Sequence, residues 1–113
     1  MLTIYGIPNC DSCRKARKWL DGKSVNYRFH DLRVEGLDGE MLDRWLRNSD
    51  WQTLLNTRST TWRGIPESER KNMTSGRARL LMLEQPTLIK RPVAESGTVL
   101  LVGFKADEYQ MLL

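Results

Sequence analysis

Apolar and polar positions divide the chain into short segments of two different periods. Residues 2–5, Leu2-Thr3-Ile4-Tyr5, form a brief apolar run that predicts a buried strand. From residue 10 to 21 the period lengthens. Cys13, Ala16 and Leu20 fall at i, i+3 and i+7, and Arg14, Lys15, Arg17 and Lys18 point outward. That pattern is an amphipathic helix, with Gly22 placed as a left-handed cap at its end. Residues 25–30 alternate apolar and polar, as a strand does. Strand, helix, strand in that order predicts two parallel strands.

The next stretch is helical. Leu37-Asp38 followed by Met41, Leu42, Trp45 and Leu46 reads as an N-capped helix, with Leu37 and Leu42 set for a hydrophobic staple. Ser49 and Gln52 predict a capping box for a short helix carrying Trp51, Leu54 and Leu55. Residues 56–73 are polar and contain Gly64 and Pro66, which predicts loops and short turns. Thr74 opens a helix through Leu80, Leu81 and Leu83 to Glu84, and Pro86 stops it. Residues 93–95 and 98–102 are strand-like around Ser96-Gly97, a hairpin signal, and 104–113 reads as a closing helix. The sum is an α/β chain: a mixed four-stranded sheet with a helical insertion, at about 38–84, between the second and third strands.

A length of 113 residues suggests a single domain, 1–113, and 40% hydrophobic with 28% charged residues is an ordinary globular composition. No apolar stretch approaches the roughly 20 residues of a membrane span. The N-terminus lacks the basic and apolar regions of an export signal, so a cytoplasmic location is expected. There thiols are kept reduced and lone cysteine pairs tend to be reactive. The net charge is +4 and the isoelectric point near 9.3. A solvated basic face accounts for this, and the same charge attracts a small anionic substrate. No nucleic-acid-binding motif accompanies it.

The only two cysteines, Cys10 and Cys13, form a CxxC between a predicted strand and the helix that follows. That is the layout of a thioredoxin-like redox site. A helix N-terminus offers free N–H groups and about half a positive charge, which favour a thiolate. Cys10, at the junction, is the expected nucleophile. Cys13, one turn inside and facing the core with Ala16, is the expected resolving cysteine. Zinc would need four ligands, and beyond the two thiols only His30 is available as a histidine, within a strand. No metal is therefore expected. Arg91, before Pro92 at the entry to the third strand, and Arg58 are the candidate anion-binding residues. A guanidinium there can hold a carboxylate or oxyanion in bidentate fashion. In thioredoxin-like folds a proline at the place of Pro92 is typically cis and lies beside the cysteine.

Tyr5-x-x-Pro8-x-Cys10, Leu54-Leu55 with Arg58, and Leu88-Ile89-Lys90-Arg91-Pro92-Val93 resemble the arsenate reductase (ArsC) family across nearly the whole chain. Residues 10–17 and 57–62 look closest to its Spx and YffB branches. The resemblance implies a thioredoxin-like fold and a cysteine that attacks an oxyanion or thiol substrate beside arginines. Glutaredoxin-linked arsenate reductases carry a histidine where this chain has Gly6, and a third arginine near the place of Val102. They usually lack the second cysteine of the CxxC. Resemblance to the YffB branch implies a thiol–disulfide reductase with glutathione as co-substrate, no bound cofactor, and Arg58, Arg91 and Pro92 at the substrate. The alternative is an Spx-like regulator that binds the RNA polymerase α subunit, with the CxxC as redox switch. Spx-like chains usually extend past the final helix, whereas this one stops at Leu113, so the enzyme is favoured. Arsenate reduction stands third. Nothing in the residues demands more than a monomer.

Overall fold

In chain order the elements are β1 (Leu2–Gly6), α1 (Asp11–Gly22), β2 (Tyr27–Asp31), α2 (Gly39–Asn48), α3 (Trp51–Leu54), α4 (Thr60–Arg63), α5 (Glu67–Lys71), α6 (Ser75–Glu84), β3 (Val93–Ser96), β4 (Val99–Val102) and α7 (Ala106–Gln110), with a 3-10 turn over Pro86–Leu88. The structure, a computed structural model, describes residues 1–113. It divides into two compact units, Met1–Gly36 with Arg91–Leu113, and Leu37–Lys90.

The first unit holds the sheet, in the order β2-β1-β3-β4. β1 and β2 run parallel, with Leu2 opposite Tyr27 and Gly6 opposite Asp31. β3 is antiparallel to both β1 and β4. Strand alternation sends Leu2, Ile4 and Ala94 to one face, where they meet Ala16 and Leu20 of α1 and Tyr109 of α7. Trp19 and Phe104 each meet Tyr109 edge-on, with Phe104 and Tyr109 ring centroids 4.9 Å apart. The hairpin turns at Gly97, which takes φ +60.

The second unit is helical. Leu42, Trp45, Leu54, Ala78, Met82, Leu88 and Ile89 are its fully buried residues. Arg79 of α6 clasps Asp43 of α2 through two hydrogen bonds, of 2.6 and 3.2 Å. Leu55 and Ile89 form one isolated antiparallel bridge.

Several local expectations shift. Gly22 is not the left-handed residue; Ser24 is, at φ +57. The helix closes in a Schellman arrangement, with Val25 N–H bonded to Leu20 C=O at 3.0 Å and Ser24 N–H to Asp21 C=O at 3.1 Å. That closure sets Val25 against the Leu20 core, and β2 consequently starts at Tyr27 rather than Val25. The cap of α3 is Asp50, whose carboxylate accepts from Thr53 N–H at 2.7 Å; Ser49 instead ends α2. The polar stretch 56–73 contains two helices, α4 capped by Ser59 and α5 opened by Pro66. The closing helix is confined to Ala106–Gln110. Asp38 and Thr74 cap α2 and α6 as expected, accepting from Met41 and Arg77 N–H.

Candidate active site

Ile7, Pro8 and Asn9 carry the chain out of β1, and α1 begins at Asp11. Cys10 is thereby the N-cap, with extended backbone at φ −107 and ψ 126. Its sulfur occupies the place where a serine or aspartate oxygen normally accepts from the first-turn amides. The neutral thiol makes no capping hydrogen bond. Ionisation changes that. Partial burial opposes the thiolate, but the Cys13 N–H, the Cys13 thiol and the Arg91 guanidinium outweigh it and draw the Cys10 pKa below 9.0. Asp11, the nearest carboxylate in sequence, is paired with Arg14 at 2.9 Å on the exposed side of the helix.

Cys13 is wholly buried beside Ala16 and Leu20. Burial is the main reason its thiol is pushed up to about 11; the Ile7 N–H works against this, and the neighbouring Cys10 adds to it. The two cysteines are both free thiols. They differ in the way thiol exchange requires, one half-exposed and favoured as thiolate, the other held protonated inside.

Arg91 arrives from the far end of the chain because β3 lies antiparallel to β1. The Arg91–Pro92 bond is cis and Pro92 is fully buried. The Pro92 carbonyl accepts from Gly103 N–H at 2.8 Å, which ties this corner to the end of β4. The Arg91 guanidinium is near enough to Cys10 to favour its thiolate, while its Nε is buried without a partner. Cys10, Cys13, Arg91 and Pro92 thus come together within the first unit. Arg58 belongs to the second unit. It is exposed in the loop between α3 and α4, its N–H bonded to Asn56 Oδ1 at 3.1 Å.

His30 is a sheet residue. It is buried in β2, its Nε2 2.8 Å from Gly36 C=O and its ring 4.9 Å from that of Tyr5. Tyr5 in turn donates to the buried Glu95 at 2.9 Å. No group of three or more His, Cys, Asp or Glu side chains is arranged to hold a metal ion.

Gly6 is the site residue that the sequence shows only as a departure from the family pattern. A Cβ built on Gly6 would overlap the Cys13 sulfur and stand 3.8 Å from the Phe29 ring. The missing side chain is therefore the seat of the second thiol. Gly6→Ala is expected to cost about 1–3 kcal/mol of stability through overpacking. Removing the sulfur as well, in Gly6→Ala/Cys13→Ala, should recover part of that loss in thermal melts. Simple additivity of the two changes would show that the overlap does not matter.

The profile of the ArsC family matches residues 5–112. The chain belongs to the ArsC family. An uncharacterized protein of Haemophilus influenzae is 42% identical over 110 residues, covering 97% of this chain and 96% of that one. The global transcriptional regulator Spx of Streptococcus agalactiae is 30% identical and spans all of this chain, which covers 83% of the regulator. Among solved structures, a YffB protein superposes with a TM-score of 0.91 at 46% identity, covering 98% of this chain and 97% of its own. The four-stranded mixed sheet with its helices is thus the thioredoxin-like fold of an ArsC chain.

Proposed function

We propose that this ArsC-family chain is a thiol–disulfide reductase that uses glutathione, with Cys10 as nucleophile and Cys13 as resolving cysteine. The observation that carries the reading is the opposed setting of the two thiols. Cys10 is favoured as thiolate by the Cys13 N–H and Arg91, while Cys13 is buried and pushed up to about 11.

The chemistry follows in balanced steps. The Cys10 thiolate attacks one sulfur of a disulfide; that S–S bond breaks and the other sulfur leaves as a thiolate, which takes a proton from solvent. Cys10 is then in a mixed disulfide and carries no charge. The part of the Cys13 shift that comes from Cys10 disappears with that charge, and the Ile7 N–H and Arg91 remain to favour a Cys13 thiolate. Cys13 attacks the Cys10 sulfur, releases the second thiol and closes the Cys10–Cys13 disulfide. Two glutathione thiols reopen it and leave as glutathione disulfide. Arg91, a partly exposed cation beside Cys10, supports binding of an anionic co-substrate. In this reading Arg58 contributes a second cation, Pro92 borders the substrate, no cofactor is bound, and 1–113 acts as one monomeric domain in the cytoplasm.

The test is turnover of a small disulfide with glutathione, coupled to glutathione reductase and NADPH. Steady oxidation of NADPH that needs the protein is the expected result. Its absence, with both thiols titratable, would overturn the enzyme reading. Thiol labelling provides a pH check. The midpoint of Cys10 alkylation against pH should fall below 9.0, because its pKa is lowered, while Cys13 stays unlabelled at neutral pH.

The similarity to Spx over the whole chain supports a second reading, a redox-switched regulator that binds the RNA polymerase α subunit. Binding of that subunit's C-terminal domain by the oxidised but not the reduced protein, without glutathione turnover, would favour it.

A further inference from the structure

Outside the cysteine site a groove of about 500 Å³ runs along the outer side of α1, lined by Lys15, Lys18, Trp19, Gly22, Lys23 and Phe104. Its walls are mostly apolar: the Trp19 indole, the Phe104 ring and the lysine stems. Its rim is wholly cationic, and none of the three lysines has a carboxylate within ion-pair distance. The Lys23 ammonium lies 5.5 Å from the centroid of the Trp19 ring.

Gly22, the last residue of α1, leaves the groove open. It does not take a positive φ. A Cβ there would meet no atom within 4 Å, so close packing does not exclude a side chain either. What the missing side chain provides is open space in the groove.

We infer that this groove binds an extended acidic segment of a partner protein, with one apolar side chain against Trp19 and Phe104. The spacing of the charges favours a chain over a single compact anion. From Lys15 to Lys23 the rise along the helix is about 12 Å, too far for one phosphate to meet every ammonium. Four extended residues cover about 13 Å, so acidic residues along one segment can face all three lysines. Lys15 is five residues from Cys10 on the same helix. The inference rests on the groove alone and is independent of the redox reading.

The probe is a short fluorescein-labelled peptide rich in Glu, with one central Phe and no cysteine, titrated with the reduced full chain at low salt. Saturable binding is expected, weakened at least tenfold by Lys15→Glu/Lys18→Glu and, with every charge kept, by Gly22→Met, which fills the groove. A Phe→Ser peptide should bind several times more weakly, and added salt should lower affinity. Circular dichroism and titration of both thiols check that each variant is folded. Absence of binding would overturn the inference, as would equal binding by folded Gly22→Met or equal affinity for the Phe→Ser peptide. Adenosine monophosphate or anionic phosphatidylglycerol vesicles that bind through Lys15 and Lys18 while the peptide does not would assign the groove to those ligands instead and equally overturn it.

Discussion

Cys10→Ser is expected to abolish the mixed disulfide with glutathione, and Cys13→Ser to let that adduct accumulate. The reason lies in the first turn of α1. Cys10 holds the N-cap position, where its thiolate meets the Cys13 N–H and the Arg91 guanidinium and its pKa falls below 9.0. Cys13 lies on the same buried face of α1 as Ala16 and Leu20, without solvent contact, and burial pushes its thiol up to about 11. Of the two thiols, Cys10 is the one whose surroundings favour the thiolate, and the thiolate is the species that attacks. A serine hydroxyl cannot replace it. With Cys13 removed, the first attack proceeds, but no internal thiol is left to resolve the product. Intact-protein mass spectrometry after incubation with glutathione disulfide reads both outcomes: no adduct on Cys10→Ser, and one glutathione per chain on Cys13→Ser. Equal adduct on the two variants would remove the division of labour between the cysteines.

Arg91→Ala should slow reaction with glutathione disulfide by roughly tenfold to a hundredfold, and reaction with an uncharged small disulfide by less. A charge-assisted hydrogen bond is worth about 1.5–3 kcal/mol when shielded and less in open water. Arg91 is partly exposed, so the lower part of that range is the better guide, and the effect should shrink as salt is added. Two causes contribute. The guanidinium stabilises the Cys10 thiolate, and in the proposed mechanism it also holds a carboxylate of the co-substrate. They separate by pH. Without Arg91 the Cys10 pKa rises, so the thiolate contribution is lost at neutral pH and recovered once the pH exceeds the new pKa. A binding contribution persists at every pH. Equal slowing of both disulfides across the whole pH range would make Arg91 supporting structure and leave the glutathione reading without its best side chain.

Some elements were legible because their causes are local. Asp38 and Thr74 cap α2 and α6 through amides three residues away, and such pairs can be seen in a string of letters. The i, i+3, i+7 run of Cys13, Ala16 and Leu20 placed those residues on the buried face of α1, where they are found. Elements decided by contacts were misread. Gly22 has the chemistry of a left-handed cap, but packing of Val25 on the Leu20 core moves that conformation to Ser24. Ser49 and Asp50 are both competent caps, and the one whose oxygen reaches the Thr53 amide begins α3. Helices α4 and α5 are four and five residues long, too short to show a period.

The sequence alone determined the α/β order of elements, the placing of a CxxC at the start of a helix and the cationic outer face of α1, since each depends on neighbours within a turn or two. Tertiary structure alone decided the environment of those residues. Arg91 meets Cys10 only because β3 returns beside β1. Gly6 matters only because the sulfur of Cys13 fills the volume that its side chain would take. Phe104 completes the wall beside Trp19 only once the chain after β4 closes over α1. Periodicity and capping report which way a residue faces. What it faces is set by strand pairing between distant segments, and that pairing leaves no local trace in the chain.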